Sequence, residues 1–197
     1  GTVNRQLSAL SKMLQVGVDK GRLKHRPKIE RKRESPGRRR VISETEEAEI
    51  IHTFQQWGLE EQSAVVQVLV DTGLRPSELW RLTANDLNFS SNLIHVWESK
   101  TDVPRGVPMT ERVQTIMRKR QAIKSAVLFP YDNHWMRGPW ERVKRHLGLS
   151  DDNEFVVYAF RHTCASRLVQ RGVHLLYVQE WLGHSSNTMT KRYAHLC

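Results

Sequence analysis

Apolar residues recur at intervals of three and four positions along much of the chain, which is the spacing of one face of a helix. The first such stripe consists of Val3, Leu7, Leu10, Leu14 and Val18. It predicts a helix over residues 3–19 that stops at Gly21. Because no preceding segment could cover this apolar face, we expect residues 1–23 to be the last helix of a truncated domain.

Boundary signals divide the rest of the chain into further helices. Ser43 and Glu46 have the spacing of a capping box, and Gly73, Gly172 and Gly183 are placed to end helices. We expect these helices over about residues 43–56, 60–71, 110–123, 135–146 and 159–171, with shorter ones beginning near 76 and ending at 182.

A strand pattern interrupts the helices once. Residues 93–97 are rich in β-branched and aromatic side chains, and residues 105–109 can return as their partner strand after a turn at 100–104. The predicted class is therefore α+β, mostly α-helical, with a small antiparallel β-sheet.

The charge of the chain narrows the choice of partner. Its 31 Lys and Arg residues against 21 Asp and Glu give a net charge of +10, which is typical of a protein that binds a polyanion. We favour double-stranded DNA over a membrane, because no basic amphipathic helix or lipidation signal occurs. No apolar run could span a bilayer and no signal peptide precedes the first helix, so we expect a cytoplasmic protein.

Other kinds of chemistry find little support in the sequence. Cys164 and Cys197 lack the spacing of metal ligands and are expected to be free thiols. A Gly-rich phosphate loop is also missing, which argues against a nucleotide-driven motor. We therefore expect no cofactor and no metal ion.

Residues 24–40 are strongly basic, and the Pro36-Gly37 pair within them predicts a linker between domains. Two interpretations are open. The stretch is a flexible charged tether, or it lies along DNA phosphates with Arg38, Arg39 and Arg40 as DNA-binding residues.

Four separated segments carry residues suited to phosphoryl transfer. They are residues 72–79 (TGLRPSEL), 99–101 (SKT), 158–163 (YAFRHT), and 182–184 (LGH) together with 193–195 (YAH). In this order and spacing they resemble the tyrosine recombinases of the phage integrase family over about residues 41–197. Residues 3–20 also resemble the last helix of that family's core-binding domain.

The resemblance implies a helical catalytic domain that cleaves and rejoins DNA at specific sites through a 3′-phosphotyrosyl intermediate. It also implies a homotetramer on DNA, and a phage or prophage origin in a bacterial host. The nucleophile would be Tyr193, with His184 donating to a non-bridging phosphate oxygen and Lys100 protonating the leaving 5′ oxygen. A phosphotyrosyl bond keeps the energy of the broken phosphodiester, so the reaction is reversible.

Two arginines also suit a phosphate on chemical grounds. Arg75 begins a helix, where backbone donors favour an anion, although a surface ion pair with Glu78 would serve there as well. Arg161 lies in an apolar stretch with no acid at positions 158–170, and a buried guanidinium needs an anion. The resemblance makes Glu78 the residue that orients Arg75.

One position departs from the family pattern. Where the family motif begins with His, this chain has Tyr158, which can donate a hydrogen bond but cannot easily accept a proton at neutral pH. The general base is therefore open, and His162 is either its substitute or a hydrogen-bonding neighbour of the site. The alternatives to a recombinase are a type IB topoisomerase-like DNA relaxing enzyme and a non-catalytic DNA-binding remnant.

Overall fold

The computed structural model describes residues 2–33, 40–97, 104–132, 134–184 and 190–196. The chain divides into two compact units, residues 1–37 and 38–197. The helices of the described ranges are α1 (Thr2–Asp19), α2 (Glu44–Gln56), α3 (Glu60–Thr72), α4 (Pro76–Leu79), α5 (Glu111–Ala122), α6 (Arg137–His146), α7 (Ala159–Gln170) and α8 (Leu175–Leu182). Two 3₁₀ helices cover Ala84–Asp86 and Lys191–Leu196. The strands are β1 (Leu87–Asn88), β2 (Leu93–Val96) and β3 (Arg105–Pro108).

The first unit consists of α1 and the segment that returns along it. The side chain of Asn4 exchanges hydrogen bonds with the backbone of Lys32, at 2.8 and 3.0 Å. The predicted helix is confirmed, but no residue of α1 is buried within this unit. Of its apolar stripe, Val3 and Leu10 are exposed, while Leu7, Leu14 and Val18 are half-buried. The assignment of α1 to a truncated core-binding domain, and the domain boundaries at residues 23 and 40, stay predictions.

The second unit is built around α3 and α7, which pack against each other, with α2 and α5 against α3. Fully buried aromatic side chains fill its main core, among them Phe54, Phe129 and Phe160. A smaller apolar cluster joins α7, α8 and the C-terminal 3₁₀ helix, and it includes Val178 and Tyr193. The C-terminal segment is thereby held against α7.

Local signals set the helix ends as expected. Ser43 and Glu46 form the capping box of α2, with the Glu46 backbone N–H donating to the Ser43 hydroxyl at 3.1 Å. Gly73 ends α3 with φ +64°, and Gly183 ends α8 with φ +63°. A Cβ atom at position 73 would lie 2.7 Å from Leu182, so both the backbone conformation and the space require glycine there.

The sheet is antiparallel with strand order β1-β2-β3, and the pairing of β2 with β3 is confirmed. Ile94 faces Val107 across the ladder, and both are fully buried. β1 was not expected, because a strand of two residues has no alternating pattern to detect. The predicted turn, with Lys100, lies largely outside the described residues. No described helix is both long and apolar enough to cross a membrane.

Candidate active site

The ends of α3 and α8 meet the start of α7, and this junction brings two predicted phosphate-binding arginines together. Arg161, in the first turn of α7, donates hydrogen bonds to the backbone oxygens of Gly73, at 2.6 Å, and Leu182. Arg75, the residue before α4, donates to the backbone oxygen of Gly183 at 3.4 Å. The glycine-terminated ends of α3 and α8 therefore supply acceptors that orient both guanidinium groups.

Arg161 is a buried cation. It is 2% exposed, and its Nε atom has no hydrogen-bond partner among the described residues. Burial, reinforced by the nearby charge of Arg75, lowers the pKa of Arg161 to about 10, so the group stays charged at neutral pH. Its two hydrogen bonds go to backbone oxygens rather than to a carboxylate, as the acid-free sequence around it predicted.

Glu78 is a buried carboxylate that accepts four hydrogen bonds. Arg75 contacts it twice, through its guanidinium at 2.7 Å and its backbone N–H at 2.8 Å. Arg105 contacts both carboxylate oxygens, at 2.7 and 3.1 Å. Burial alone would raise the pKa of Glu78, but the hydrogen bonds and charge of Arg105 and the bonds from Arg75 hold it below its ordinary value. The predicted pairing of Glu78 with Arg75 is thus present, and the carboxylate is ionised.

Arg105 is the site residue that sequence reasoning missed. It opens β3 and its side chain is 6% exposed, with Nε donating to the backbone oxygen of Trp181 at 2.9 Å. Its partners lie 27 and 76 positions away in sequence, so no local pattern pointed to it. A charged residue at the start of a strand that faces a helical core was the one available signal. We refer to Arg75, Glu78, Arg105 and Arg161 as the site cluster.

Tyr193 contacts His162 directly. The Tyr193 hydroxyl lies 2.6 Å from Nδ1 of His162, and the two residues are 5% and 8% exposed. His162 follows Arg161 in α7, so the helix carries one residue of the cluster and one partner of the tyrosine. Sequence reasoning left the role of His162 open, because the tyrosine is 31 positions away.

Tyr158 lies at the edge of this arrangement. It is 39% exposed, although its neighbours in sequence include the buried residues Phe155 and Phe160. Its ring packs edge-on against His162, with centroids 5.4 Å apart. Tyr158 therefore borders the site without being enclosed in it.

His184 follows the C-terminal glycine of α8. Its Nδ1 lies 2.9 Å from the hydroxyl of Thr190, and the side chain of Gln179 donates to its backbone oxygen at 3.3 Å. Thr190 is almost fully buried. The first contact orients the imidazole of His184, and the second holds its backbone against α8.

Of the remaining predicted residues, the structure describes Arg40. Lys100, Arg38 and Arg39 lie outside the described residues. Arg40 is described, and its guanidinium forms ion pairs with Glu46 and with Asp152, the latter at 2.9 Å. Nothing in these contacts points to DNA, and the DNA-binding role of Arg40 stays a prediction. Within the described ranges, no three His, Cys, Asp or Glu side chains are grouped to hold a metal ion.

Comparison with known proteins decides the family. The sequence model of the phage integrase family matches residues 40–197. The chain belongs to the phage integrase family. The prediction of a tyrosine recombinase, an enzyme class that cleaves and rejoins DNA, is confirmed by this membership, and the topoisomerase-like alternative is not favoured.

Individual relatives agree with this membership. The chain is 27% identical to a tyrosine recombinase of Thermosipho africanus over 209 residues, covering 99% of this chain and 71% of that protein. It is 26% identical to tyrosine recombinase XerA of Saccharolobus solfataricus over 161 residues, covering 81% of this chain and 54% of the relative. The chain thus spans between about half and three quarters of these relatives.

Solved structures share the fold. The Tn1549 transposon integrase, in complex with transposon right end DNA, superposes with a TM-score of 0.82 at 22% identity, covering 98% of this chain and 74% of that one. The catalytic domain of bacteriophage HP1 integrase gives a TM-score of 0.65 at 23% identity, covering 80% and 88%. The predicted fold class is confirmed.

Proposed function

We propose that this chain is the catalytic part of a site-specific DNA recombinase in which Tyr193 is the nucleophile and His162 accepts its proton. The observation that carries the proposal is the 2.6 Å contact between the Tyr193 hydroxyl and Nδ1 of His162, the residue that follows Arg161 of the site cluster in α7. A neutral imidazole protonated at Nε2 would present Nδ1 as the acceptor. This assignment answers the question that Tyr158 raises, since the chain has another base in contact with the nucleophile.

The positive charge of the site cluster suits the scissile phosphate. The cluster contains three guanidinium groups and one carboxylate, which leaves a surplus of two positive charges. Arg75 and Arg161 would hold the non-bridging oxygens of the phosphate, where negative charge grows in the transition state. His184, fixed by Thr190, would donate from its other ring nitrogen to the same oxygens.

The reaction exchanges one phosphodiester for another. The Tyr193 oxygen bonds to phosphorus and the bond from phosphorus to the 5′ oxygen breaks. The tyrosine proton passes to His162, and Lys100 supplies a proton to the departing 5′ oxygen. A 5′ hydroxyl from a second duplex then reverses these steps and releases Tyr193. Strand exchange of this kind would use four copies of the chain on two duplexes.

DNA is the proposed partner on two grounds. The net charge of +10 suits a polyanion, and the structural neighbours include a XerH recombinase bound to its difH substrate. The homotetramer, a bacterial cytoplasm and a phage origin remain part of this proposal.

The test is covalent capture. The chain is incubated with a pool of nicked duplexes of random sequence, in which cleavage releases a short strand and traps the enzyme. We expect denaturation-resistant adducts with the parent and none with Tyr193→Phe, which removes one oxygen and leaves DNA affinity nearly unchanged. Exchange of strands between two captured duplexes then separates a recombinase from a relaxing enzyme. Adducts that form equally with Tyr193→Phe would reject the assignment.

A further inference from the structure

Arg105 holds a position that the proposed chemistry does not yet explain. It is almost fully buried, on β3, and it shares the Glu78 carboxylate with Arg75. Both carboxylate oxygens accept from both arginines, counting the backbone N–H of Arg75. Arg105 is also anchored to α8 through the backbone oxygen of Trp181. It therefore ties α4, β3 and α8 together around one negative charge.

The balance of charge suggests what Arg105 does. If Glu78 had Arg75 as its sole cationic partner, the pair would be neutral and Arg75 would attract a phosphate weakly. A second buried arginine on the same carboxylate compensates that charge. Glu78 can then orient Arg75 without cancelling its attraction for an anion.

Gly183 allows the side chain of Arg105 to lie close to the end of α8. A Cβ atom at position 183 would lie 3.0 Å from Cδ of Arg105 and 3.1 Å from one of its terminal nitrogens. Gly183 also accepts from Arg75 and precedes His184. Arg105 itself follows Lys100 by five residues in sequence and pairs with Val96 on β2. One side chain thus connects the strand that follows Lys100 with the arginine proposed to hold the phosphate.

We propose that Arg105 is a positioning residue for strand cleavage, which acts by compensating Glu78 so that Arg75 keeps its charge for the scissile phosphate. The inference rests on the proposed function, because it concerns the same phosphate. It predicts that the loss of cleavage rate in Arg105 variants depends on the charge of Glu78 and on the charge of the substrate. A purely structural role of Arg105 would predict neither dependence.

The first experiment is a double-mutant cycle on a duplex that the parent has captured. Arg105→Met should slow single-turnover cleavage at least about tenfold, because an uncompensated Glu78 neutralises Arg75. Adding Glu78→Gln should restore part of that loss, since it removes the charge that Arg105 balanced. Arg105→Lys should keep more activity than Arg105→Met. Single defects that multiply in the double variant would overturn the proposal.

The second experiment changes the substrate. A methylphosphonate at the scissile position is neutral, so the defect of Arg105→Met should shrink on it relative to the ordinary phosphate. Arg118→Met is the matched control, because it removes an exposed guanidinium that packs over Phe89 on the surface. It should leave the cleavage rate of bound DNA and the ratio between the two substrates as in the parent. Equal defects of Arg105→Met on both substrates, with unchanged thermal unfolding, would also overturn the proposal.

The proposed function and this inference can fail separately. If the parent captures no duplex, the proposed function fails, and Arg105 is tested with inorganic phosphate instead. Phosphate should raise the melting temperature of the parent more than that of Arg105→Met. In the double variant, which adds Glu78→Gln to Arg105→Met, the increase caused by phosphate should return towards that of the parent. An equal shift in the parent and Arg105→Met would reject the role of Arg105 independently of cleavage.

Discussion

Two networks of arginines and carboxylates share helix α7, and they differ in their balance of charge. The site cluster holds three arginines and one carboxylate, and two of the arginines, Arg75 and Arg105, bind that carboxylate. In the second, which we call the balanced network, two arginines meet two carboxylates. Its members are Glu47, Asp71, Arg112 and Arg167. Arg161 belongs to the first and Arg167, six residues later on the same helix, to the second.

The pKa values of Arg112 in the balanced network and Arg161 in the site cluster are shifted in opposite directions. The hydrogen bonds that Arg112 donates to Asp71, against the opposing effect of burial and with the help of Glu47, raise the pKa of Arg112 above its ordinary value. Burial and the charge of Arg75 lower the pKa of Arg161. A network whose charges cancel is complete within the chain and serves the fold. A buried network with surplus positive charge attracts an anion from outside the chain, and in the proposed function that anion is a phosphate of DNA.

The strongest test of this comparison replaces each of the two arginines of α7 by methionine in turn. Arg161→Met should lower the cleavage rate by about 10²–10³, the effect of removing a donor to a developing oxyanion. Its stability should change little, because the lost hydrogen bonds are offset by removal of an uncompensated buried charge. Single-turnover cleavage and thermal unfolding measure the two effects.

Arg167→Met is the matched control on the same helix. It should lower the free energy of unfolding by about 2 kcal/mol, because it takes a charged partner from buried Glu47. Cleavage per folded molecule should stay near that of the parent. If both variants lost cleavage activity in proportion to their loss of stability, the two networks would not differ in function.

The next test concerns the proton of Tyr193. His162→Asn should slow cleavage about 10²-fold, the usual contribution of a positioned base. The rate of the parent should fall as the pH falls, because protonated imidazole cannot accept, and this acid limb should be absent from the variant. The measurement is a pH and rate profile of both proteins. A variant that keeps the acid limb would assign the base elsewhere.

A smaller effect is expected at Tyr158. Tyr158→Phe should reduce cleavage about tenfold if its hydroxyl donates a hydrogen bond near the phosphate, a loss of about 1.4 kcal/mol. Its exposed position beside His162 makes this possible without burial of the ring. Single-turnover rates of the variant and of Tyr158→His would be compared, and the His variant should match or exceed the parent. Parental activity in Tyr158→Phe would make the residue a packing partner of His162.

The smallest effect concerns the three arginines at the start of the second unit, Arg38, Arg39 and Arg40. Like the arginines of the balanced network, Arg40 is paired with carboxylates of the chain. Its hydrogen bonds and ion pairs with Glu46 and Asp152 raise its pKa. Neutralising Arg38 and Arg39 together should lower the salt dependence of DNA binding by about two units of slope, whereas Arg40→Ala should leave the slope unchanged. Titrations of DNA affinity against salt measure both. A lower slope for Arg40→Ala would place its guanidinium on phosphate instead.

The sequence predicted those parts of the fold that depend on local chemistry. The capping box of Ser43 and Glu46 and the terminal glycines at 73 and 183 act within a few residues, so their patterns are visible in the chain. The absence of acids near Arg161 likewise indicated a cation without a carboxylate. Arg105 could not be predicted as a site residue in this way, because its place in the site depends on contacts between residues far apart in sequence. The contact between His162 and Tyr193 could not be predicted for the same reason, because it joins α7 to a segment 31 positions later in the chain.

The most direct test of the account is to locate the covalent bond. The adduct between the parent chain and a nicked duplex is digested with a protease and a nuclease, and the modified peptide is sequenced by mass spectrometry. We predict a nucleotide joined through its 3′ phosphate to the oxygen of Tyr193. A nucleotide on Tyr158 or another side chain, or one joined through a 5′ phosphate, would contradict the account.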